Sequence, residues 1–212
     1  PAAIVPTHIH PDHVGGASAL RERSNAPLAV HESRVGFAWG GRPLAPERAL
    51  RDGDEVAWDG GRLVAVHTPG HESGHCCYHD PERGWLFTGD LILGTGTTIV
   101  APPDGDMTAY LGSLRRLLDL ELTVILPGHG APIERPYDKI EEYLAHRAMR
   151  EAQIVDCLRA GLHDIPAIVA RLYADVHPGL HPAAALTVRA HLDKLVRGGV
   201  VVEEPADRFT IV

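Results

Sequence analysis

The feature that most constrains this sequence is the stretch VPTHIHPDHVGG, which runs from Val5 to Gly16. Within six residues it carries four side chains of the kind that bind metal ions: His8, His10, Asp12 and His13. Three more follow other apolar runs, each directly after a glycine that permits a sharp turn: His71 in HTPGH, Asp90 in FTGD and His129 in LPGHG. A fold that buries the apolar runs would gather all of them at strand ends, where catalytic residues are usually carried.

The spacing of these side chains suits two cations rather than one. Side chains on a strand repeat every two residues, so we expect His8 and His10 to point the same way. The side chains that follow in the turn would then face a second point. The predicted first site is His8, His10 and His71, and the predicted second site is Asp12, His13 and His129. Asp90, which has two carboxylate oxygens, is predicted to bridge the two ions.

Two divalent ions roughly 3.5–4 Å apart would hold one bridging hydroxide, with its pKa lowered toward about 7. A ligand set without sulfur fits zinc, iron or manganese and does not choose among them; zinc is the expected ion, with iron and manganese as alternatives. The predicted catalytic residues are Asp90, as the bridge, and Asp12. Either the carboxyl group of Asp12 or a metal-bound water could pass on the proton. No serine or cysteine is placed to act as a covalent nucleophile.

Several polar residues lie close to these motifs in the sequence. Four of them are predicted to support the ligands by hydrogen bonding or packing: His67, Thr68, His75 and Thr88. His75 could instead contact the substrate. Asp59 and His79 are predicted at the surface of hairpins. The loop GTGTT, residues 94–98, could form the rim of the site or be an ordinary loop.

Composition narrows the class of protein. The 212 residues are enough for one large domain, or for one medium domain and a small one. A formal net charge of −8 argues against a broad nucleic-acid surface, which is usually basic. An odd number of cysteines without a CxxC spacing indicates free thiols in a reducing compartment, so we expect the cytoplasm. No apolar run approaches the length of a membrane helix, so we expect no membrane partner.

Strand-like and helix-like segments alternate along the first part of the chain, which predicts an α/β architecture. Residues 2–6 are predicted to form a short buried strand, and a Gly/Pro-rich loop is predicted to end at Pro46. Apolar residues at helical spacing predict a helix over residues 107–118. These elements belong to a predicted domain that spans residues 1–136.

After Pro136 the predicted secondary structure changes from alternating strands and helices to mainly helices. Helices are predicted near residues 137–160, 164–174 and 182–197, and the C-terminal tail is predicted to form a β-hairpin. Three helices followed by a hairpin predict a small winged-helix-like domain over residues 137–212.

The stretches THIHPDH, HTPGH, FTGD and LPGHG resemble the HxHxDH, PGH, GD and GH signatures of the metallo-β-lactamase superfamily. Their spacing is similar to that of its glyoxalase II and lactamase-β-like branches. GTGTTIVAPPDGDMTAYLGSL and YLAHRAMREAQIV resemble the branch that carries a C-terminal winged helix, so the resemblance covers essentially the whole chain. It implies an αβ/βα sandwich with the metals at one edge. It also implies strands before the first motif, which we expect to be missing upstream of Pro1.

The resemblance, together with the ligand set, predicts a metal-dependent hydrolase of an ester, a thioester or a phosphodiester. The winged-helix branch includes endoribonucleases selective for single strands, so single-stranded RNA is one expected substrate. The alternative is a glyoxalase II-like thioester hydrolase, although the glutathione-binding residues of that enzyme have no match here. An alternative of another class is a non-catalytic winged-helix protein that binds nucleic acid.

The last predicted helix carries basic residues of the kind that contact DNA: Arg189, His191, Lys194 and Arg197. The acidic pair Glu203 and Glu204 on the predicted wing would repel phosphate, which argues against duplex DNA. Packing, a wall of the substrate cleft or a homodimer contact are the other roles considered for this domain.

Overall fold

The first part of the chain forms short elements. The computed structural model describes residues 1–39, 42–43 and 45–212. The elements before residue 51 are α1 (Pro11–Val14), α2 (Ala17–Ser24), β1 (Ala29–His31), β2 (Ala38–Trp39), β3 (Arg42–Pro43) and β4 (Arg48–Leu50). Strand β1 pairs in parallel with β4, and β2 pairs antiparallel with β3. Strands β2 and β3 fall within the stretch predicted as a Gly/Pro-rich loop, and residues 40, 41 and 44 of that stretch lie outside the described residues.

The buried strand predicted over residues 2–6 is wrong. Only Ile4 takes part in strand pairing, through a single parallel bridge to Leu28, and residues 1 and 2 are exposed. Pro6 has no N–H to donate, so it cannot continue a ladder of hydrogen bonds at this point. The apolar run AAIV therefore lies beside β1 without forming a strand of its own.

The central element is a five-stranded sheet in the order β5-β6-β7-β8-β9. Its strands are β5 (Glu55–Trp58), β6 (Gly61–His67), β7 (Cys76–Asp80), β8 (Trp85–Gly89) and β9 (Val124–Pro127). All pairs are antiparallel except β8 and β9, which run parallel. The carboxyl ends of β8 and β9 therefore meet at one edge of the sheet.

His79 was predicted at the surface and is buried instead, with 7% of the residue exposed. It lies on β7, the middle strand of the sheet, in which every residue is buried. Its ring nitrogen Nε2 lies 3.2 Å from the carbonyl oxygen of Glu121, a partner that a buried imidazole needs. The hairpin motif alone does not indicate that later elements cover this strand.

Two helices pack on the sheet and complete its core. Helix α3 (Met107–Leu117) begins at Asp106, whose side chain accepts a hydrogen bond from the N–H of Ala109. Its buried apolar residues recur at helical spacing and meet those of β7, β8 and β9. Helix α4 (Pro136–Arg159) contributes Ile140 and Tyr143 to the same core.

The C-terminal part has a hydrophobic core of its own. Its elements are α5 (Ile165–Leu172), α6 (His181–Arg197), β10 (Val201–Glu204) and β11 (Arg208–Ile211). The last turns of α4 enter this second core through Ile154 and Leu158, so one long helix takes part in both cores. Strands β10 and β11 form the antiparallel hairpin of a winged helix. Across the described ranges, no helix combines the length and the apolar character needed to cross a membrane.

Gly70 explains the glycine of the HTPGH motif. It has a φ of +136°, and a Cβ added there would lie 2.5 Å from Cβ of Tyr110 and closer still to the backbone of α3. Only a glycine lets the loop after β6 pass this close to the helix.

We predict that Gly70→Ala lowers the free energy of unfolding by about 3 kcal/mol or more, because either the loop or helix α3 must move. The matched control is Gly112→Ala on the exposed side of α3, where an added Cβ meets nothing within 4 Å. It should raise stability by about 0.5–1 kcal/mol through better helix propensity. Urea denaturation of both variants measures the difference, and equal stabilities would contradict the assigned close approach.

Candidate metal centre

Seven histidine and aspartate side chains converge in two adjoining groups. The first group is His8, His10 and His71, and the second is Asp12, His13, Asp90 and His129. Within each group, one ligand-type atom from every member lies within 4.8 Å of the others. The structure thus brings together all the residues that the sequence motifs nominated as ligands.

The motif THIHPDH enters the site as a bend rather than as a strand. Residues 7–10 form no strand, and the N–H of Cys76 donates to the carbonyl oxygen of Thr7 at 2.8 Å, which ties this bend to β7. The strand alternation expected for His8 and His10 is therefore wrong, although their nitrogens Nε2 and Nδ1 lie only 2.9 Å apart. Helix α1 begins directly afterwards and carries the next two ligand-type residues of the motif in its first turn.

Asp90 lies between the two groups. Its Oδ1 is 3.3 Å from Nε2 of His13 and 3.5 Å from Nε2 of His129. Its other oxygen, Oδ2, is 3.9 Å from Nε2 of His71 in the first group. One carboxylate therefore presents one oxygen to each group. Burial opposes ionisation of Asp90, but the contact with His13 and the neighbouring imidazoles outweigh it and lower the pKa of Asp90.

A backbone carbonyl fixes the tautomer of His71. Nδ1 of His71 lies 2.7 Å from the carbonyl oxygen of Ile99, which can only accept, so Nδ1 carries the proton and donates it. Nε2 of the neutral ring then presents its lone pair to the site, 3.0 Å from Nδ1 of His10. Burial lowers the pKa of His71 and, more strongly, that of His8, which favours the neutral rings that metals require.

The donor atoms fit a cation better than they fit one another. Nδ1 of His10 lies about 3 Å from the nitrogens of two other rings, His8 and His71, and a neutral imidazole has a single N–H to share. Nε2 of His13 and Oδ1 of Asp90 are buried 3.3 Å from each other, yet neither atom forms a hydrogen bond in the described part of the chain. Buried polar atoms are costly when unpaired, and divalent ions would satisfy all of these lone pairs.

A second glycine leaves room for the carboxylate. At Gly128, which precedes His129, an added Cβ would lie 2.8 Å from Cε1 of His13 and 2.9 Å from Oδ1 of Asp90. The LPGHG motif therefore needs a residue without a side chain where β9 ends beside the second group.

The predicted supporting residues differ in how close they come to the ligands. His75 is fully buried with its ring centroid 5.1 Å from that of His8, and Thr68 Oγ1 lies 2.9 Å from its Nδ1. Burial lowers the pKa of His75 to about 3. Thr88 donates to the carbonyl of Ile92 and so shapes the turn that carries Asp90.

His67 lies apart from the seven side chains. Its ring stacks on that of His31 with 4.0 Å between centroids, and its Nε2 lies 2.9 Å from the carbonyl oxygen of Ser73. Its contacts among the described residues serve the packing of the loop after β6.

Sequence reasoning missed the segment Thr98–Ile99 as a support of the centre. Besides the carbonyl of Ile99, the hydroxyl of Thr98 donates to the carbonyl oxygen of Asp90 at 2.7 Å. Any residue type can offer a backbone carbonyl, so the residue at position 99 does not indicate the contact with His71. The polar loop GTGTT is the one sequence feature that points to this segment.

The basic side chains of the winged helix are engaged inside the molecule. Arg189 forms ion pairs with Asp193, Glu203 and Asp207. Lys194 pairs with Glu151, and Arg197 pairs with Asp106. His191 is fully buried. The residues nominated as DNA contacts on α6 therefore have carboxylate partners or no exposure.

Two family models match this chain. The one described as the metallo-beta-lactamase superfamily matches residues 1–129, and the one described as a beta-lactamase associated winged helix domain matches residues 165–208. A beta-lactamase-like protein 2 homolog of Drosophila melanogaster is 36% identical over 219 residues, covering 96% of this chain and 72% of the relative.

Solved structures agree with this match. A metallo-beta-lactamase family protein from Thermus thermophilus superposes with a TM-score of 0.82 at 25% identity, over 98% of this chain and 79% of that one. The structure of TTHA1623 in a di-iron-bound form has a TM-score of 0.50 at 33% identity, over 63% of this chain and 72% of that one.

The cysteines do not belong to the centre. All three are free and buried, and two of them, Cys76 and Cys77, lie on β7. Burial raises the pKa of both of these thiols to about 12 and raises that of Cys157 as well. The reactive thiolate is therefore almost absent at neutral pH.

We predict that a thiol-labelling reagent at pH 8 modifies Cys76 and Cys77 in the folded protein at least about a thousandfold more slowly than an exposed cysteine, because the thiolate fraction falls by that factor. The rate should rise with pH, since higher pH forms thiolate. Unfolding in denaturant should expose all three thiols to rapid labelling. Rapid labelling of either residue before unfolding would contradict their burial.

Proposed function

The chain belongs to the metallo-beta-lactamase superfamily, and we propose that it is a hydrolase that works with two divalent metal ions. The observation that carries this proposal is the position of Asp90, which offers one carboxylate oxygen to each group of ligands. The buried lone pairs without partners beside it support the same conclusion. So does the similarity to TTHA1623, a protein solved with two irons.

The ligand assignment follows the two groups. One ion would be held by His8, His10 and His71, and the other by Asp12, His13 and His129, with Asp90 shared. We propose zinc, because nitrogen and carboxylate donors without sulfur suit it, with iron and manganese as the alternatives that metal analysis would reveal. Bound ions of this kind polarise a substrate oxygen and make water a nucleophile near neutral pH.

Residues of the chain also orient the metal ligands and can transfer protons. The carbonyl of Ile99 keeps the proton of His71 on Nδ1, so its Nε2 lone pair stays directed at the site. Asp12 has 55% of its side chain exposed and holds Oδ2 3.1 Å from Nε2 of His129. An exposed carboxylate in this position could accept the proton that the attacking water loses and pass it to the leaving oxygen or sulfur, which needs a proton as it departs.

For the substrate we propose a carboxylic ester or thioester. The protein has a net charge of −8, and internal ion pairs occupy Arg189, Lys194 and Arg197 on α6. Little positive charge on α6 is therefore free to bind the phosphodiester backbone of RNA. Glyoxalase II-like hydrolysis is one form of this chemistry. Cleavage of phosphodiesters, including those of single-stranded RNA, is the alternative that the experiment below separates from it.

The test is turnover of an aryl thioester, of an activated phosphodiester and of a single-stranded oligoribonucleotide by the purified protein, with and without a chelator. We expect thioester hydrolysis that the chelator abolishes and that added zinc restores. Preferred cleavage of the oligoribonucleotide would transfer the assignment to ribonuclease chemistry. Protein that contains two metals per chain and hydrolyses none of these compounds would favour a non-catalytic winged-helix protein.

We predict that Asp90→Asn lowers both bound metal and hydrolysis by at least about 100-fold, because the amide removes the negative charge shared by the two ions. Asp59→Asn, an exposed turn residue, is the matched control and should leave both unchanged. Mass spectrometry of the metal content and steady-state kinetics measure the two effects. Undiminished turnover in Asp90→Asn would contradict the mechanism.

A further inference from the structure

A cavity of about 480 Å³ lies between the loop after Asp90 and the C-terminal helices. Residues 96–99 form one wall, and side chains of α4, of the segment 173–180 and of α6 form the others. None of the seven ligand-type side chains of the candidate metal centre lines this cavity.

The cavity contains positive charge without a counter-ion. Arg147 and Arg150 of α4 line it together with His146, yet the ion pairs formed by the described residues include neither arginine. Arg147 is only 2% exposed. Buried guanidinium groups are rare unless a carboxylate or another anion accompanies them, because a charge loses its favourable hydration when it leaves water.

The guanidinium groups of Arg147 and Arg150 contact only uncharged groups among the described residues. Arg147 donates to the carbonyl oxygen of Thr98 and lies 5.1 Å from the ring centroid of Tyr110. Arg150 donates to Oε1 of Gln153 at 2.9 Å and lies 4.4 Å from the ring centroid of Tyr173. The Nε atom of each arginine has no hydrogen-bond partner in the described part of the chain. Burial, followed by the charges of these two arginines, lowers the pKa of His146, as expected where positive charge accumulates.

The other walls are apolar and partly open. Leu180 is 58% exposed and Ile99 is 44% exposed, and both line the cavity beside Val176 and Ala183. Contact with an apolar ligand would remove these side chains from water, which favours binding of an apolar group.

The cavity adjoins the candidate metal centre through one segment. The carbonyl of Ile99 accepts the proton of His71, and the hydroxyl of Thr98 donates to the carbonyl oxygen of Asp90. Both residues also line the cavity. A ligand in the cavity therefore lies against the backbone segment that orients two of the metal ligands.

We propose that this cavity binds the part of the substrate that does not react, an apolar group that ends in an oxyanion, with Arg150 and Arg147 as its charge partners. The proposal rests on the hydrolase function proposed above. A carboxylate and a phosphate monoester share this chemistry, and the planar guanidinium can bind either in a bidentate manner. Ion pairs with carboxylates occupy Arg189, Lys194 and Arg197 of α6. Among the described residues that line this cavity, Arg147 and Arg150 therefore supply the positive charge that forms no ion pair.

Binding is tested first by calorimetry on the metal-loaded protein. The probes are 4-phenylbutanoate, phenethyl phosphate and the neutral 4-phenylbutanamide. We expect at least one anion to bind about tenfold or more tightly than the amide, and the better anion identifies the class. Equal affinity for the amide and both anions would overturn the proposal.

Variants separate the cavity from the metal centre, which could also attract an anion. Arg150→Gln should weaken binding of the preferred anion about tenfold and leave binding of the amide unchanged. The control is Arg159→Gln on the same helix, where the arginine is exposed and paired with Asp156. Ala183→Phe fills the cavity without removing charge and should weaken both the anion and the amide, so it keeps the test valid if Arg150→Gln unfolds. Unchanged anion affinity in a folded Arg150→Gln or Ala183→Phe variant would overturn the proposal.

Kinetics distinguish this proposal from the hydrolase function on which it rests. An acyl thioester with a terminal carboxylate should show a KM about tenfold lower than its neutral counterpart, and Arg150→Gln should remove that advantage with little change in kcat. Hydrolysis of both thioesters with equal KM would overturn the proposal and leave the hydrolase function in place. Absence of any hydrolysis would overturn the function, while the calorimetric result still decides whether the cavity binds an oxyanion.

Discussion

The structure depends on the contact between one carboxylate, that of Asp90, and imidazoles on both sides of it. Its two oxygens face different groups of ligands, and the neighbouring imidazoles hold its pKa low against the effect of burial. Nδ1 of His10 lies about 3 Å from the nitrogens of His8 and His71, and a neutral ring has one N–H to share between them. Two bound cations, one on each side of Asp90, would satisfy these lone pairs and both carboxylate oxygens.

The scaffold meets the requirement at one edge of the central sheet. The loops after β6, β8 and β9 deliver His71, Asp90 and His129. The bend before α1 delivers His8 and His10, and α1 itself carries the other two ligand-type residues. The segment Thr98–Ile99 then secures two of them through its hydroxyl and its carbonyl. This segment also lines the cavity that contains Arg147, so the orientation of the centre and the proposed binding of the substrate share one piece of backbone. Helix α4 reaches from the core of the sheet to the winged helix and connects the two parts.

Much of this arrangement could be predicted from the sequence, because its strongest signals are local. Glycines beside ligand-type residues mark close approaches, as Gly70 and Gly128 do, and helical spacing predicts α3 to within one residue. Properties that depend on distant elements could not be predicted. The burial of His79 depends on the strands and helices that cover β7. Residues 2–6 do not form the predicted strand, because Pro6 has no N–H to continue the pairing that Ile4 makes with Leu28. The contact of Ile99 with His71 joins a carbonyl to a ring 28 residues away, which no spacing rule anticipates.

The proposed function requires Asp90 to bridge two metal ions. Anomalous X-ray diffraction from crystals of the zinc-loaded protein, recorded at the zinc absorption edge, tests it most directly. We expect two peaks roughly 3.5–4 Å apart, one beside Nε2 of His71 and the other beside Nε2 of His129, with a carboxylate oxygen of Asp90 next to each. A single peak, or peaks remote from Asp90, would contradict it.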